Sequence, residues 1–317
     1  MQCPPDYVNK QAAEKQQALE LRLASAEQLL EKALETADRL FNSGDLTPYL
    51  NVLCRLHNYN FYNILLILRQ YPEATTLTTS AQWKTCMNGS GQEVIKEEHH
   101  GKGIRLVAPF VSLNPPFANF ISLVFYDVSQ TNVTGYQRVS IYRVGDENTT
   151  LLYGALRMAL SSEYRTSVIY MRELFKYAEY HIPGYREGNS IYCRPDIPKE
   201  ELIRWLVRNM LELSEPDKVI GKRYLALFLD MAQYCLLNIW GITDRRTWFF
   251  YQDPDLIRSI PQDLRKVFLD LLQRRVRKIE EVVNSAYQEL LQDREEEPMP
   301  YPPTMDLLAS GKDDGSI

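Results

Sequence analysis

Arg204 and Arg208 lie four residues apart in EELIRWLVRNMLE (200–212), with Trp205 between them and Glu200, Glu201 and Glu212 around them. Four residues is about one helical turn, so both guanidinium groups share one helix face. A guanidinium is a rigid fork of donors that matches a carboxylate. It has no lone pair for a metal and cannot act as a base at neutral pH, and the Trp205 indole is a donor only. Two arrangements suit these residues. In one, Glu200–Arg204 and Arg208–Glu212 pair on a solvated face, each pair contributing about 0.2–0.5 kcal/mol. The other is a former metal site that these residues have filled in, since two positions one helical turn apart can share a metal. A separate feature is Asp230, which lies in YLALFLDMAQYCLLNIWGI, a stretch apolar nearly all round. A carboxylate buried there needs a partner.

A second constellation precedes it. Residues 58–84 carry Tyr59, Phe61, Tyr62, Tyr71 and Trp83, near Arg55, Arg69, Lys84, Lys96, Lys102 and Arg105. Across 51–110 there are six Lys or Arg against four Asp or Glu. Rings stack bases and cations hold phosphates, which is what single-stranded nucleic acid requires. Composition alone favours the other use of these rings, in a core. A third cluster, Arg274, Arg275, Arg277 and Lys278, is flanked by Asp270, Glu280 and Glu281 and reads as an exposed, salt-laced helix.

Several elements must position these groups. Leu19, Leu23, Ala26, Leu30, Ala33, Ala37 and Leu40 recur at helical spacing and predict a helix over 10–41, ended by Asn42-Ser43-Gly44. One or two helices follow from a cap near Thr47 to the stop at Pro72. GIRLVAPF and FISLVFYDVSQT read as strands on either side of the Pro-containing connector 111–119, the expected domain boundary. Helices are expected over 150–162, 167–180, 200–212, 222–239 and 262–292, with a short β-element in GYREGNSIYCRPDIP.

The chain has 317 residues, 45% apolar and 24% charged, in the range of a globular protein of one large or two ordinary domains. A net charge of −5 argues against a wholesale polyanion binder but leaves room for a local basic groove. Cys3, Cys54, Cys86, Cys193 and Cys235 are odd in number and scattered, as free thiols in a reducing cytosol would be. With only His57, His99, His100 and His181, a multi-histidine metal site is hard to assemble. MQCPPDYVNK holds no apolar signal region and no run approaches a membrane span, so a cytoplasmic location without membrane association is expected.

Taken in order, these segments resemble the ArdC-like antirestriction family of mobile genetic elements, with its LtrC-like relatives. YNFYNILLILRQYPEATTL…QWK…GKGIRLVAP carries the first part of the match, through Asn63, Gln70, Pro72, Ala74, Thr75, Trp83, Lys84, Gly103, Ile104 and Pro109, with an apparent insertion at 86–100. VFYDVSQT, GYREGNSIYC, ELIRWLVRNML and FLDMAQYCLLNIWGI carry the second part. The resemblance implies a single-stranded-DNA-binding domain followed by a zincin-type metallopeptidase domain. Where the family reads Leu-Ile-His-Glu-Leu-Ala-His, this chain reads Leu202-Ile203-Arg204-Trp205-Leu206-Val207-Arg208, and the third-ligand position falls on Asp230.

The expected fold is therefore α+β in two domains. An N-terminal helix (1–44) leads into a helix-rich single-stranded-DNA-binding domain (45–112). A degenerate metallopeptidase-like domain (113–293) and a disordered tail (294–317) follow. Tyr62, Tyr71 and Trp83 are expected to stack bases, and Arg69, Lys84, Lys102 and Arg105 to hold phosphates. Arg204, Trp205, Arg208 and Asp230 mark a dead metal site with no metal, no cofactor and no hydrolytic activity. The expected partners are single-stranded DNA and a host defence or transfer protein. The alternative is a protein-interaction module that uses the dead cleft without DNA. Asp230 is expected to contact Arg204 or Arg208, with Arg204 favoured.

Overall fold

Helix α1 (Pro5–Ser43) ends where Gly44 turns left-handed at φ +75°, and a Cβ at Gly44 would come within 2.8 Å of Pro254. Only glycine accepts both demands. The computed structural model describes residues 5–86, 93–111, 118–134, 146–173, 183–214, 219–242 and 253–296. Helix α2 (Thr47–Leu56) follows directly, its first turn held by Asp45, whose Oδ1 accepts from the Thr47 N–H at 2.8 Å. Asn60 caps α3 (Phe61–Gln70) by accepting from the Asn63 N–H at 2.9 Å.

Past Pro72 the chain forms β1 (Leu77–Thr78) and the short helix α4 (Ser80–Thr85), which Thr79 and Gln82 close with a reciprocal capping box. Strands β2 (Ile104–Val111) and β3 (Ala118–Asp127) pair antiparallel over eight residues, giving a three-stranded sheet of order β1-β3-β2. The connector expected to divide two domains thus lies between two paired strands of one sheet. This corrects the boundary at 112/113, because VFYDVSQT belongs with GIRLVAP and not with the helices beyond it.

Helix α3 runs along the free edge of β2, and two of its amides take the place of a strand. Asn63 Nδ2 donates to the Val107 carbonyl at 2.8 Å, and its Oδ1 accepts from the Val107 N–H at 2.9 Å. Gln70, two turns on, does the same to Arg105, at 2.9 and 3.0 Å. The sheet edge is thereby closed to further pairing. At the other end Asp127, 2% exposed, accepts from the Thr75 and Thr76 N–H groups at 2.7 and 2.9 Å, fixing the loop before β1. Asp127 also accepts from the Ser129 N–H at 3.0 Å, in a second capping box with Gln130.

The rest of the chain is helical around a small sheet. Helix α5 (Asp146–Tyr164) leads to β4 (Ser167–Tyr170), which pairs parallel with β6 (Ser190–Cys193), while β5 (Gly184–Glu187) pairs antiparallel with β6. Residues 167–170 are therefore a strand, not the start of a helix over 167–180. The turn at Arg165 (φ 50°) breaks the helix, and the β-branched pair Val168-Ile169 fits the pleat. Residues 174–180 lie outside the described residues, as do His181 and Cys3.

Helix α6 (Lys199–Leu213) packs between α5 and α7 (Gly221–Ile239), and α7 packs on α2. Helix α8 (Pro254–Arg258) precedes the long α9 (Gln262–Glu296), which lies against α5, α7 and α1. The chain is mixed and helix-rich, consistent with α+β. Its buried side chains form one continuous cluster from Ala26 to Tyr287, so α1 and the segments on both sides of 112/113 share a core. Asn148 ties three helices together: its Nδ2 donates to the Trp240 carbonyl at 3.0 Å and its Oδ1 accepts from Tyr287 at 3.1 Å. Helix α9 continues to Glu296, three residues into the tail expected over 294–317, and the remainder of that tail lies outside the described residues. No helix among the described residues is long and apolar enough to cross a membrane.

Candidate functional site

The residues expected to bind DNA separate into two groups. Trp83 is 1% exposed, and its indole N–H donates to the Tyr126 carbonyl at 2.8 Å. No base reaches a ring buried in this way, so the stacking role expected of Trp83 is corrected to a structural one: it pins α4 to β3. Tyr62 is half-buried, tilted against Phe61 at 4.0 Å between centroids, with Lys266 Nζ 5.5 Å from its own ring. Half-buried Tyr71 ends α3, and its hydroxyl lies 3.0 Å from Ser129 Oγ. The Arg69 guanidinium donates to Glu35 at 3.0 Å, so a carboxylate of α1 already compensates its charge.

Lys84, Lys102 and Arg105 are exposed. Arg105 lies directly opposite Val124 in the β2–β3 ladder, so the two side chains leave the same face of the sheet. Tyr126, two residues on, shares that face. Gly103 leaves room for both: a Cβ there would meet Val124 Cγ1 at 2.2 Å and Tyr126 Cζ at 3.0 Å. Val124 is 43% exposed and Tyr126 half-buried. The structure therefore gathers Lys102, Arg105, Val124 and Tyr126 at one end of the sheet. Sequence reading missed Tyr126 and Val124, because it assigned VFYDVSQT to another domain. Alternation along β3 against the Arg105 position was the signal that could have found them.

The motif residues that carried the resemblance are mostly architectural. Asn63 and Gln70 close the sheet edge, and the Pro72 and Ala74 carbonyls accept from the Arg55 guanidinium. Thr75 is held by Asp127, Trp83 by Tyr126, and Gly103 makes space for two side chains.

On the second half, α6 and α7 bring Arg208 and Asp230 into direct contact through Arg208 Nη1 and Asp230 Oδ1. The expected helix–helix contact is present, but Arg208 makes it rather than the favoured Arg204. Register decides this: Gln233 Nε2 donates to the Arg204 carbonyl at 3.1 Å, so α7 presents an amide there. Arg208 also donates to Glu212 at 3.0 Å, so the solvated i,i+4 pair and the contact between helices coexist on one guanidinium. Glu212 in turn lies 3.8 Å from Arg186 of β5. The Asp230 side chain is 36% exposed, which corrects the expectation of a buried carboxylate: α7 is not buried all round, and Asp230 sits on its open side.

These residues do not fit a zinc ion. Guanidinium and indole groups offer donors and no lone pair, and the Asp230 carboxylate is already engaged by Arg208. The Trp205 indole nitrogen is buried with no hydrogen-bond partner among the described residues, a donor where a general base would need an acceptor. Among the described residues no three His, Cys, Asp or Glu side chains are grouped to hold a metal. The third cation cluster divides: Arg274 pairs with Asp270 at 2.8 Å and Arg277 with Glu281 at 2.7 Å, both exposed. Arg275 instead turns inward and donates to the Ser214 carbonyl at 3.0 Å, capping the end of α6.

No family model matches the sequence, and no curated protein matches it. Among solved structures, the chain is similar to the metal-free antirestriction protein ArdC from plasmid R388, with a TM-score of 0.45 and 13% identity, covering 81% of this chain and 98% of that one. The Mn(II)-bound structure of the same protein gives a TM-score of 0.41 and 12% identity, covering 75% of this chain and 97% of that one.

Proposed function

We propose that this chain binds single-stranded DNA at the exposed Arg105–Val124 end of its β1-β3-β2 sheet. In this reading it serves DNA transfer or antirestriction in a mobile genetic element and carries a metallopeptidase-like half without peptidase chemistry. The observation that carries the reading is Arg105 beside Val124 and Tyr126 on one face of the sheet, with exposed Lys102 just before β2 and exposed Lys84 following the Trp83 that is bonded to Tyr126. A ring beside an apolar side chain offers a base a surface, and the neighbouring cations offer its phosphates counter-charges. A local basic face is compatible with a net charge of −5, since phosphates respond to nearby charge. The mobile-element role and the loss of peptidase chemistry rest on the ordered sequence motifs, with Arg204, Trp205 and Arg208 at the ligand and base positions.

Photo-cross-linking with a bromodeoxyuridine-substituted single strand, followed by peptide mapping, tests the face. The reading expects adducts on the peptide carrying Tyr126. Adducts confined to α5–α9, or none at low salt, contradict it.

A second reading, protein docking without DNA, is favoured by one observation. Ile169 and Tyr185, each 39% exposed, flank Tyr192 in a single row across the small sheet. Binding to that row predicts loss of a partner in Tyr185→Ala with oligonucleotide affinity unchanged.

A further inference from the structure

We infer that Arg208 is the resident cation of the α6–α7 junction, standing where the sequence resemblance places a metal. This inference rests on the metallopeptidase-like reading of residues 202–208 and goes beyond it. The charge has not been deleted with the ligands; it has been replaced by a guanidinium.

Arg208 reaches two carboxylates at once, Asp230 on α7 and Glu212 one turn further along its own helix. Glu212 continues to Arg186 on β5. Signs alternate along Asp230, Arg208, Glu212 and Arg186. This chain of charges joins α7, α6 and the β5–β6 hairpin. Asp230 lies 22 residues from Arg208, so helical periodicity cannot bring them together; only the packing of α7 on α6 does. The Gln233–Arg204 bond, one turn away on both helices, fixes the antiparallel register. A planar fork can serve two carboxylates in one geometry, which a lysine ammonium does less well. Without the guanidinium, Asp230 would lose its ion pair and Glu212 would keep only Arg186, 3.8 Å away, and carboxylate oxygens are the hard donors that a divalent cation accepts.

The test is thermal melting of the full chain and its variants with and without millimolar manganese chloride, together with metal analysis of the purified wild type. The wild type should contain no stoichiometric metal and melt at the same temperature in both buffers. Arg208→Ala should melt roughly 2–4 °C lower, with manganese restoring part of the loss. Adding Asp230→Asn should abolish that restoration. Arg208→Lys keeps the charge but not the fork, so it should fall between the two and remain informative if Arg208→Ala does not fold. An Arg208→Ala melt equal to wild type, or a loss indifferent to manganese, would overturn the inference. So would one chelatable metal per wild-type chain. Oligonucleotide affinity should be unchanged in Arg208→Ala, so failure of the DNA-binding reading and failure of this inference are read separately.

Discussion

Asn63 holds both polar backbone groups of Val107, donating to its carbonyl at 2.8 Å and accepting from its N–H at 2.9 Å. A buried side-chain amide thus completes the edge of a β-sheet. Asn63→Ala should leave both groups of Val107 buried and unpaired, costing about 1–3 kcal/mol for each orphaned group that water does not reach. Asn63→Asp should also destabilise, because a carboxylate cannot donate to the Val107 carbonyl. Chemical denaturation measures both. Midpoints unchanged from wild type would mean that the edge is not held in this way.

Trp83 separates a structural from a ligand-binding role. Trp83→Ala should cost about 3–5 kcal/mol as a core truncation. Trp83→Phe keeps most of the packing and removes the bond to the Tyr126 carbonyl, so it should cost about 1 kcal/mol. Oligonucleotide affinity per folded molecule should match wild type in Trp83→Phe. A several-fold loss there would return the indole to the binding face.

Gly103 tests the sheet face. An alanine Cβ would displace the Val124 and Tyr126 side chains and crowd the Phe125 carbonyl, 3.2 Å away, by only a few tenths of an ångström. Gly103→Ala should therefore fold and bind single strands several-fold more weakly. Tyr126→Ala should weaken binding by about 1–3 kcal/mol if a base stacks on the ring. Anisotropy titration of both variants checks this, and unchanged affinity in both would remove the face from the account.

Alkaline pH should destabilise the chain. Burial pushes the Cys193 thiol up from 9.0 to about 12, against the lowering influence of Arg157. Burial also raises Tyr153, aided by its hydroxyl contact with Tyr170. In both cases the unfolded chain releases its proton first as pH rises, so the native state holds more protons and stability falls with pH. The contribution is complete below about pH 9 and disappears progressively toward the folded values. Urea midpoints should agree at about pH 7 and 8 and fall by about pH 10, with a shallower fall in Cys193→Val.

Much of the fold was legible because it rests on periodicity. The 3.6-residue pattern of Leu23, Ala26, Leu30, Ala33 and Ala37 marks α1, and Gly44 marks its end. GIRLVAPF and FISLVFYD read correctly as strands. Their pairing did not, because the intervening prolines resemble a linker as much as a hairpin connection. Residues 167–170 read as helix because four residues carry no period of their own, and only parallel pairing with β6 makes them a strand. The junction at Asp230 was visible through the resemblance alone. Which arginine meets it depends on the α6–α7 register, a tertiary quantity. Trp83 shows the limit of residue type: an aromatic ring in a basic segment reads the same whether it faces water or the core.

The central claim, a single-strand-binding sheet face, is tested most directly by fluorescence anisotropy with single-stranded and duplex oligonucleotides at two salt concentrations. The wild type should prefer the single strand. In Lys102→Ala and Arg105→Ala the dependence of log affinity on log salt should flatten by about 0.7 for each phosphate that is no longer neutralised. Equal affinity for duplex, or wild-type salt slopes in both variants, would contradict it.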